Sequence, residues 1–407
     1  VSVQPVETQI TTDWDAKLAS RAKGMASSVI RELLKITDRP EIISFAGGLP
    51  AAELFPIREF REACEYVLTT QGGKALQYGA TEGYTPLRNF LCEKMQKYHV
   101  PAEEENILIT NGSQQALDLV GRIFLEKDDV VVTERPTYLG ALQAWRAYRP
   151  RFATVPIDDD GMCVDMLEDV LKAHQGNVKF IYALPNFHNP AGTTIPLERR
   201  KELVRLAAKY GVPIIEDDPY GELRFEGKDV LPIETLHKEN VLYLSTFSKT
   251  LAPGIRIGWV TAPSKVISKL VQAKQGADLH TGTFVQMVTY DICQRGLLRG
   301  HVRKVREAYR ERRDAMLEAM EEFFPEGVSW TRPQGGLFLW VRLPEYVDTT
   351  EFMETALEEK VAYVPGSAFF PDGDGRNTMR LNFSYCRPEV IREGIQRLGR
   401  ALMREFG

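Results

Sequence analysis

The sequence predicts an α/β fold: a large domain with a mainly parallel sheet flanked by helices, followed by a smaller α+β domain. Three observations carry this. From roughly residue 56 to 300, short apolar runs alternate with amphipathic stretches, as a sheet buried on both faces by helices requires. After about residue 300 a charged helical segment gives way to strand-like runs that alternate apolar and polar residues. The length, 407 residues, exceeds the size at which a single core stops growing. The expected division is an N-terminal arm and joining segment at 1–55, the large domain at 56–300 and the small C-terminal domain at 301–407.

In chain order, residues 1–20 are polar and unpatterned, an arm rather than a domain. Ser27 to Lys35 has the spacing of an amphipathic helix capped by Ser27 or Ser28. Ile42 to Ala46 is apolar and ends in Gly47-Gly48-Leu49-Pro50, either a simple turn or a place where backbone approaches a ligand closely. Buried strands are expected at Ile107–Ile109, Val130–Val132, Phe180–Leu184, Pro213–Ile215 and Val241–Leu244, with a further one at Ile255–Val260. Glu198 to Tyr210 and Ala116 to Leu125 carry helical periodicity. In the small domain the helix Val302 to Phe323, the strands Gly336–Val341 and Met379–Ser384, and a last helix from Pro388 complete the pattern. Ligands in such sheets bind beyond the carboxyl ends of the strands. The distinctive polar clusters, at Thr110–Gln115, Arg135–Tyr138, Pro185–Gly192, Glu216–Tyr220 and Ser245–Lys249, all follow those runs.

Composition excludes several classes of function. The net charge is −5, from 51 basic and 56 acidic residues, so nothing calls for nucleic acid. No apolar run approaches membrane-spanning length, and the polar N-terminus lacks a signal peptide's apolar core; a cytoplasmic protein is expected. The five cysteines are scattered without a C-x-x-C pair, which argues against disulfides and zinc. No metal is expected.

The chemistry is expected around Lys249. No acidic residue stands near it in sequence, so burial would favour its neutral, nucleophilic amine, able to form a Schiff base. Ser245, Thr246, Ser248 and Arg256 supply donors for an anion such as a phosphate ester. Together they suggest an aldehyde cofactor carrying a phosphate; an ordinary solvated lysine in a Ser/Thr-rich turn would leave the same local sequence. Ser113 and Gln114, between a strand and a helix, stand where backbone N–H groups favour phosphate, though a plain N-cap serine predicts the same. Asp217 follows a buried strand, where a lone carboxylate is expensive without a cation such as a protonated pyridine nitrogen; a capping aspartate before a turn proline is the alternative. Tyr220 and Asn189 offer hydrogen bonds to a phenolic ring oxygen. Tyr138 offers a ring face for stacking, or is a core aromatic. Arg380, in an apolar strand, is expected to meet a substrate carboxylate or a buried protein carboxylate.

As a set these residues make the chain resemble the class I/II aminotransferases, fold type I enzymes dependent on pyridoxal 5′-phosphate (PLP), over essentially its full length. The resemblance rests on Thr246-Phe247-Ser248-Lys249 with Arg256 seven residues on, Asn189-Pro190-Ala191-Gly192, Asp217-x-x-Tyr220 and the late Arg380, in the family's order. Residues 28–35, 44–50 and 273–281 are similar to 2-aminoadipate aminotransferases, with kynurenine and aromatic aminotransferases close behind. The resemblance implies a seven-stranded sheet in a PLP-binding large domain. It implies Lys249 as the Schiff-base lysine, Asp217 at the pyridine nitrogen, Tyr220 and Asn189 at the ring oxygen, and Tyr138 against the ring. Ser113, Gln114, Thr246, Ser248 and Arg256 would hold the phosphate, with Tyr78 reaching it from the neighbouring subunit of a homodimer. Arg380 and Asn189 would bind the substrate α-carboxylate, while Arg31, Ser28 and Gly47-Gly48 would meet its side chain. The implied activity is ping-pong transfer of an amino group from 2-aminoadipate, glutamate, aromatic or branched amino acids to a 2-oxo acid such as 2-oxoglutarate. A PLP-dependent β-lyase acting on cysteine conjugates is the rival enzyme. A ligand-sensing module of a transcription regulator is the rival from another class; the segment ahead of the Arg31 helix is too short and insufficiently basic for the DNA-binding domain it would need.

Overall fold

The computed structural model describes residues 12–23 and 39–406. Its centre is an eight-stranded sheet in the order Ile107–Thr110, Gly258–Thr261, Val241–Thr246, Ile214–Asp217, Val178–Ala183, Val130–Arg135, Arg151–Asp158 and Gly161–Met162. Seven longer strands agree with the number that the resemblance implies, six of them at places read from the sequence; the eighth is a two-residue edge strand. Six run parallel, and Gly258–Thr261 and Gly161–Met162 run against their neighbours. Every residue of Ile107–Thr110, Ile214–Asp217, Val241–Thr246 and Gly258–Thr261 is buried. Helices on both faces cause this, and it is why these strands read as unbroken apolar runs.

Arg151–Asp158 was not expected. It lies near the sheet edge, where only Ala153 and Val155 are fully covered, so its sequence alternates and carries Arg151 and Pro156. The strand expected at Ile255–Val260 begins later, at Gly258, because Pro253–Ile255 forms a 3-10 turn and Arg256 takes a left-handed backbone with φ 53°. The helices Gly112–Phe124 and Leu197–Tyr210 lie where periodicity put them. The helix expected at Ser27–Lys35 lies outside the described residues.

The smaller sheet is antiparallel, in the order Ser329–Trp330, Phe338–Arg342, Thr378–Asn382 and Val364–Pro365. The helices Leu297–Phe323 and Pro388–Phe406 pack against each other beside it. Leu297–Phe323 runs through the boundary expected at residue 300, so a continuous helix joins the two sheets. The N-terminal segment belongs with the small sheet: Ile43–Ser44 pairs with Val361–Ala362, and Phe45 O accepts from Asn382 N–H. One core cluster, including Phe187, Tyr220, Tyr309, Phe338, Phe369 and Leu381, fills the junction of the two sheets. Among the described residues no helix is long and apolar enough to cross a membrane, and no group of side chains could hold a metal ion.

Candidate active site

The parallel strands end on one edge of the large sheet, and the opposed strand Gly258–Thr261 begins there. Thr110, Gly258 and Thr246 are neighbours across three strands. Above them starts the helix Gly112–Phe124. It can sit so low because Gly258 has no side chain: a Cβ there would stand 2.7 Å from both Gly112 C and Ser113 N. Asn111 is the N-cap residue, so Ser113 lies inside the first turn and the simple-cap reading is set aside. The N–H groups of Gly112, Ser113 and Gln114 have no helix carbonyl one turn back to bind.

Thr246 and Ser248 join this edge, their hydroxyls 2.9 Å apart, with Ser248 N–H donating to Thr246 Oγ1 at 3.1 Å. The left-handed turn at Arg256 brings its guanidinium to Ser248 Oγ and Asn111 O, each at 3.4 Å, without a carboxylate partner among the described residues. Gly112 is required here as well, because a Cβ would meet Arg256 Nη2 at 2.5 Å. Gln114 lies alongside, exposed, its Nε2 donating to Gly140 O at 2.8 Å. Ser245 departs from expectation: strand alternation turns it to the other face, and its hydroxyl donates to Asp218 O at 2.7 Å.

At the end of the strand next to Val241–Thr246, Asp217 is buried. Its Oδ2 accepts from the Tyr182 hydroxyl at 2.8 Å, and its Oδ1 has no partner among the described residues. Burial, with Asp218 adding to it and the Tyr182 bond opposing, raises its carboxyl to about 7. The capping role belongs to its neighbour: Asp218 Oδ1 accepts from Gly221 N–H at 2.9 Å. Asn189 Nδ2 donates to the Tyr220 hydroxyl at 3.4 Å, and both are buried. Tyr138, half-buried, lies over Gly140, where a Cβ would reach its ring at 2.4 Å. Burial and then the charge of Asp217 push its hydroxyl up to about 12. Lys249 Nζ donates to Gly48 O at 2.7 Å. Burial, then the charges of Arg380 and Arg256, bring it down to about 8. This is not a solvated lysine.

Arg380, 1% exposed, meets no carboxylate among the described residues, so the competing account, a buried protein ion pair, is set aside. Its Nη1 donates to Asn189 Oδ1 at 2.8 Å and its Nη2 to Ala46 O at 2.7 Å, while Nε is unpartnered. The guanidinium stacks 4.2 Å from the Phe338 ring, and the edge of that ring is 3.3 Å from where a Cβ of Gly48 would be. Gly47 is buried in the same turn. Arg31 and Ser28 lie outside the described residues. Tyr78 stands apart from the cluster, 79% exposed, edge-on to His280, whose Nε2 accepts from Gly79 N–H at 3.2 Å.

Among the described residues Arg256 and Arg380 meet no carboxylate, both act on Lys249, and Asp217 keeps one oxygen without a partner. Such a pocket favours a ligand with two anionic groups, one at the helix start beside Arg256 and one at Arg380, and a cationic N–H between them at Asp217 Oδ1. Sequence reading missed Tyr182, Phe338 and Ala46 O, since cross-strand register and chain approach leave no local signature.

The model of the family described as aminotransferase class I and II matches residues 41–398. The chain belongs to this family. An aromatic-amino-acid aminotransferase of Thermococcus litoralis is 50% identical over 97% of this chain and 96% of its own. The 2-aminoadipate transaminase of Thermus thermophilus is 45% identical over 96% and 97%. The crystal structure of Pyrococcus horikoshii kynurenine aminotransferase, solved with PMP, superposes with a TM-score of 0.94 at 46% identity, covering 97% of this chain and 99% of that one. This aminotransferase is therefore a PLP-dependent transaminase of fold type I. The unpartnered Asp217 Oδ1, the depressed Lys249 amine and the donors at the Ser113 helix start fit that cofactor.

Proposed function

We propose that this aminotransferase moves the amino group of aromatic amino acids, 2-aminoadipate or glutamate to 2-oxo acids such as 2-oxoglutarate by a ping-pong route, as a homodimer. The observation that carries it is the pairing of two buried, oppositely tuned groups, Lys249 brought down to about 8 and Asp217 raised to about 7, with no ion pair to each other. The names of the relatives support the substrate range.

Ser113, Gln114, Thr246, Ser248 and Arg256 would hold the cofactor phosphate, with Tyr78 reaching it from the second subunit. Asp217 would hold the protonated pyridine nitrogen, Asn189 and Tyr220 the ring oxygen, and Tyr138 one ring face. When bound, PLP supplies an aldehyde that takes up an amine and a ring that draws electrons from the substrate Cα. Arg380 and Asn189 fix the substrate carboxylate, and Gly47-Gly48 with Phe338 border its side chain. Lys249 Nζ is the base: near neutral pH an amine at about 8 is about a tenth unprotonated, whereas for an ordinary lysine the share is about four parts in ten thousand. It would take the proton from substrate Cα and hand it to the cofactor carbon that carried the aldehyde, which leaves the amino group with the cofactor. Arg256 and Arg380 keep Lys249 poised by disfavouring its charged form.

Lys249→Ala should abolish transamination while the protein still folds and binds PLP non-covalently. Full activity in that variant, or no borohydride-trappable cofactor in the wild type, would sink the proposal. Visible absorbance of the loaded enzyme on adding 2-aminoadipate, glutamate, phenylalanine, kynurenine or leucine separately, without acceptor, ranks the donors.

A further inference from the structure

The helix start that the proposed function gives to the phosphate is held from behind by one carboxylate. Asp278 ends the helix Ser264–Asp278. Its Oδ2 accepts from Asn111 Nδ2 at 2.5 Å and from Gln115 Nε2 at 2.6 Å, and both of its oxygens lie 2.9 Å from Lys274 Nζ. Gln115 closes the loop: its Oε1 accepts from Asn111 N–H at 2.8 Å and from Lys274 Nζ at 2.7 Å. Asn111 and Gln115 bracket Gly112, Ser113 and Gln114, the residues whose N–H groups open the helix. The bracket therefore ties up the Asn111 N–H sideways and fixes the tilt of the next three.

Lys274 has no exposed surface at all. Asp278 is a quarter exposed, and an ion pair with one partner in reach of water is a weak source of stability. It has a different use beside an anion site. An aspartate alone behind the helix start would repel a phosphate dianion; paired with Lys274 the two carry no net charge together, yet Oδ2 still accepts from both Asn111 and Gln115. We propose that Asp278, neutralised by Lys274, is a positioning residue for the cofactor phosphate, acting through Asn111 and Gln115 on the Gly112–Gln114 N–H groups. This rests on the reading that the phosphate sits at that helix start.

The test compares PLP with pyridoxal, which lacks the phosphate, binding to cofactor-free wild type, to Asp278→Asn and to the double variant Lys274→Met/Asp278→Asn, which leaves no unpaired buried charge. Fluorescence titration gives both dissociation constants for each folded protein. Both variants should bind PLP about tenfold more weakly, the value of one well-aligned charged hydrogen bond, and pyridoxal with less than about a twofold change. Equal weakening for both ligands, which a merely structural role would give, or no change for PLP, would overturn the inference. If Asp278→Asn fails to fold, the double variant decides. A wild type that binds the two ligands equally well would instead overturn the placement of the phosphate itself.

Discussion

Asp217→Asn should make the cofactor-free protein more stable at neutral and alkaline pH while destroying its hold on the cofactor. Asp217 is buried with one oxygen unpartnered, and burial raises its carboxyl from 3.8 to about 7. A carboxyl with a higher pKa in the fold than in the unfolded chain binds its proton more tightly in the fold. Its contribution to stability is therefore whole below about pH 4 and drains away as the pH rises through about 7. At about 1.4 kcal/mol per pH unit, the displacement of about three units sets a ceiling of about 4 kcal/mol, of which about 2.5 kcal/mol falls between about pH 5 and about pH 8. Asparagine does not titrate and still accepts the Tyr182 hydrogen bond. Urea unfolding of cofactor-free wild type and variant at one fixed protein concentration measures the difference. The wild type should lose about 2.5 kcal/mol more than the variant across that range. Parallel pH dependences would refute the reasoning. Adding PLP should reverse the order, because a cation at Oδ1 makes the ionised carboxylate the favoured form.

Arg380→Lys exchanges a guanidinium anchored on Asn189 and Ala46 O for a point charge, and should lower kcat/KM for amino donors about a hundredfold with PLP affinity unchanged; steady-state kinetics that match the wild type would remove Arg380 from the carboxylate site. Gly258→Ala places a methyl against Gly112 and Ser113 and should cost about 1–3 kcal/mol, read as a lower Tm together with weaker PLP binding. Tyr78→Phe alters an exposed residue without visible contact to the Lys249 cluster; about tenfold weaker PLP binding is expected from loss of a charged hydrogen bond across the proposed dimer, and unchanged affinity would exclude that role.

Much of the site was legible because parallel α/β sheets gather chemistry at strand ends. Short apolar runs located most of the strands, and the polar clusters after them offered Asp217, Lys249 and Asn189 as candidates, each with a plainer reading that only the set of them outweighed. Lys249 was also legible in its electrostatics, since the absence of a nearby acid in sequence held in space. What the sequence could not decide is which neighbour each group meets. Whether Arg380 finds a carboxylate or only amide and carbonyl oxygens depends on two loops, at Asn189 and Ala46, that lie 191 and 334 residues away along the chain. Ser245 and Ser248 look equivalent in sequence, but one faces Asp218 and the other Arg256, a choice made by strand pleat and by the left-handed turn at Arg256. The sequence by itself marked most of the elements, their order and the candidate reactive residues, because periodicity and local charge are properties of neighbouring residues. Only the tertiary structure decided which carboxylate stays unpaired, how far the Lys249 amine is brought down and which carboxylate orients the helix start, because burial and partners are set by residues brought together from distant parts of the chain.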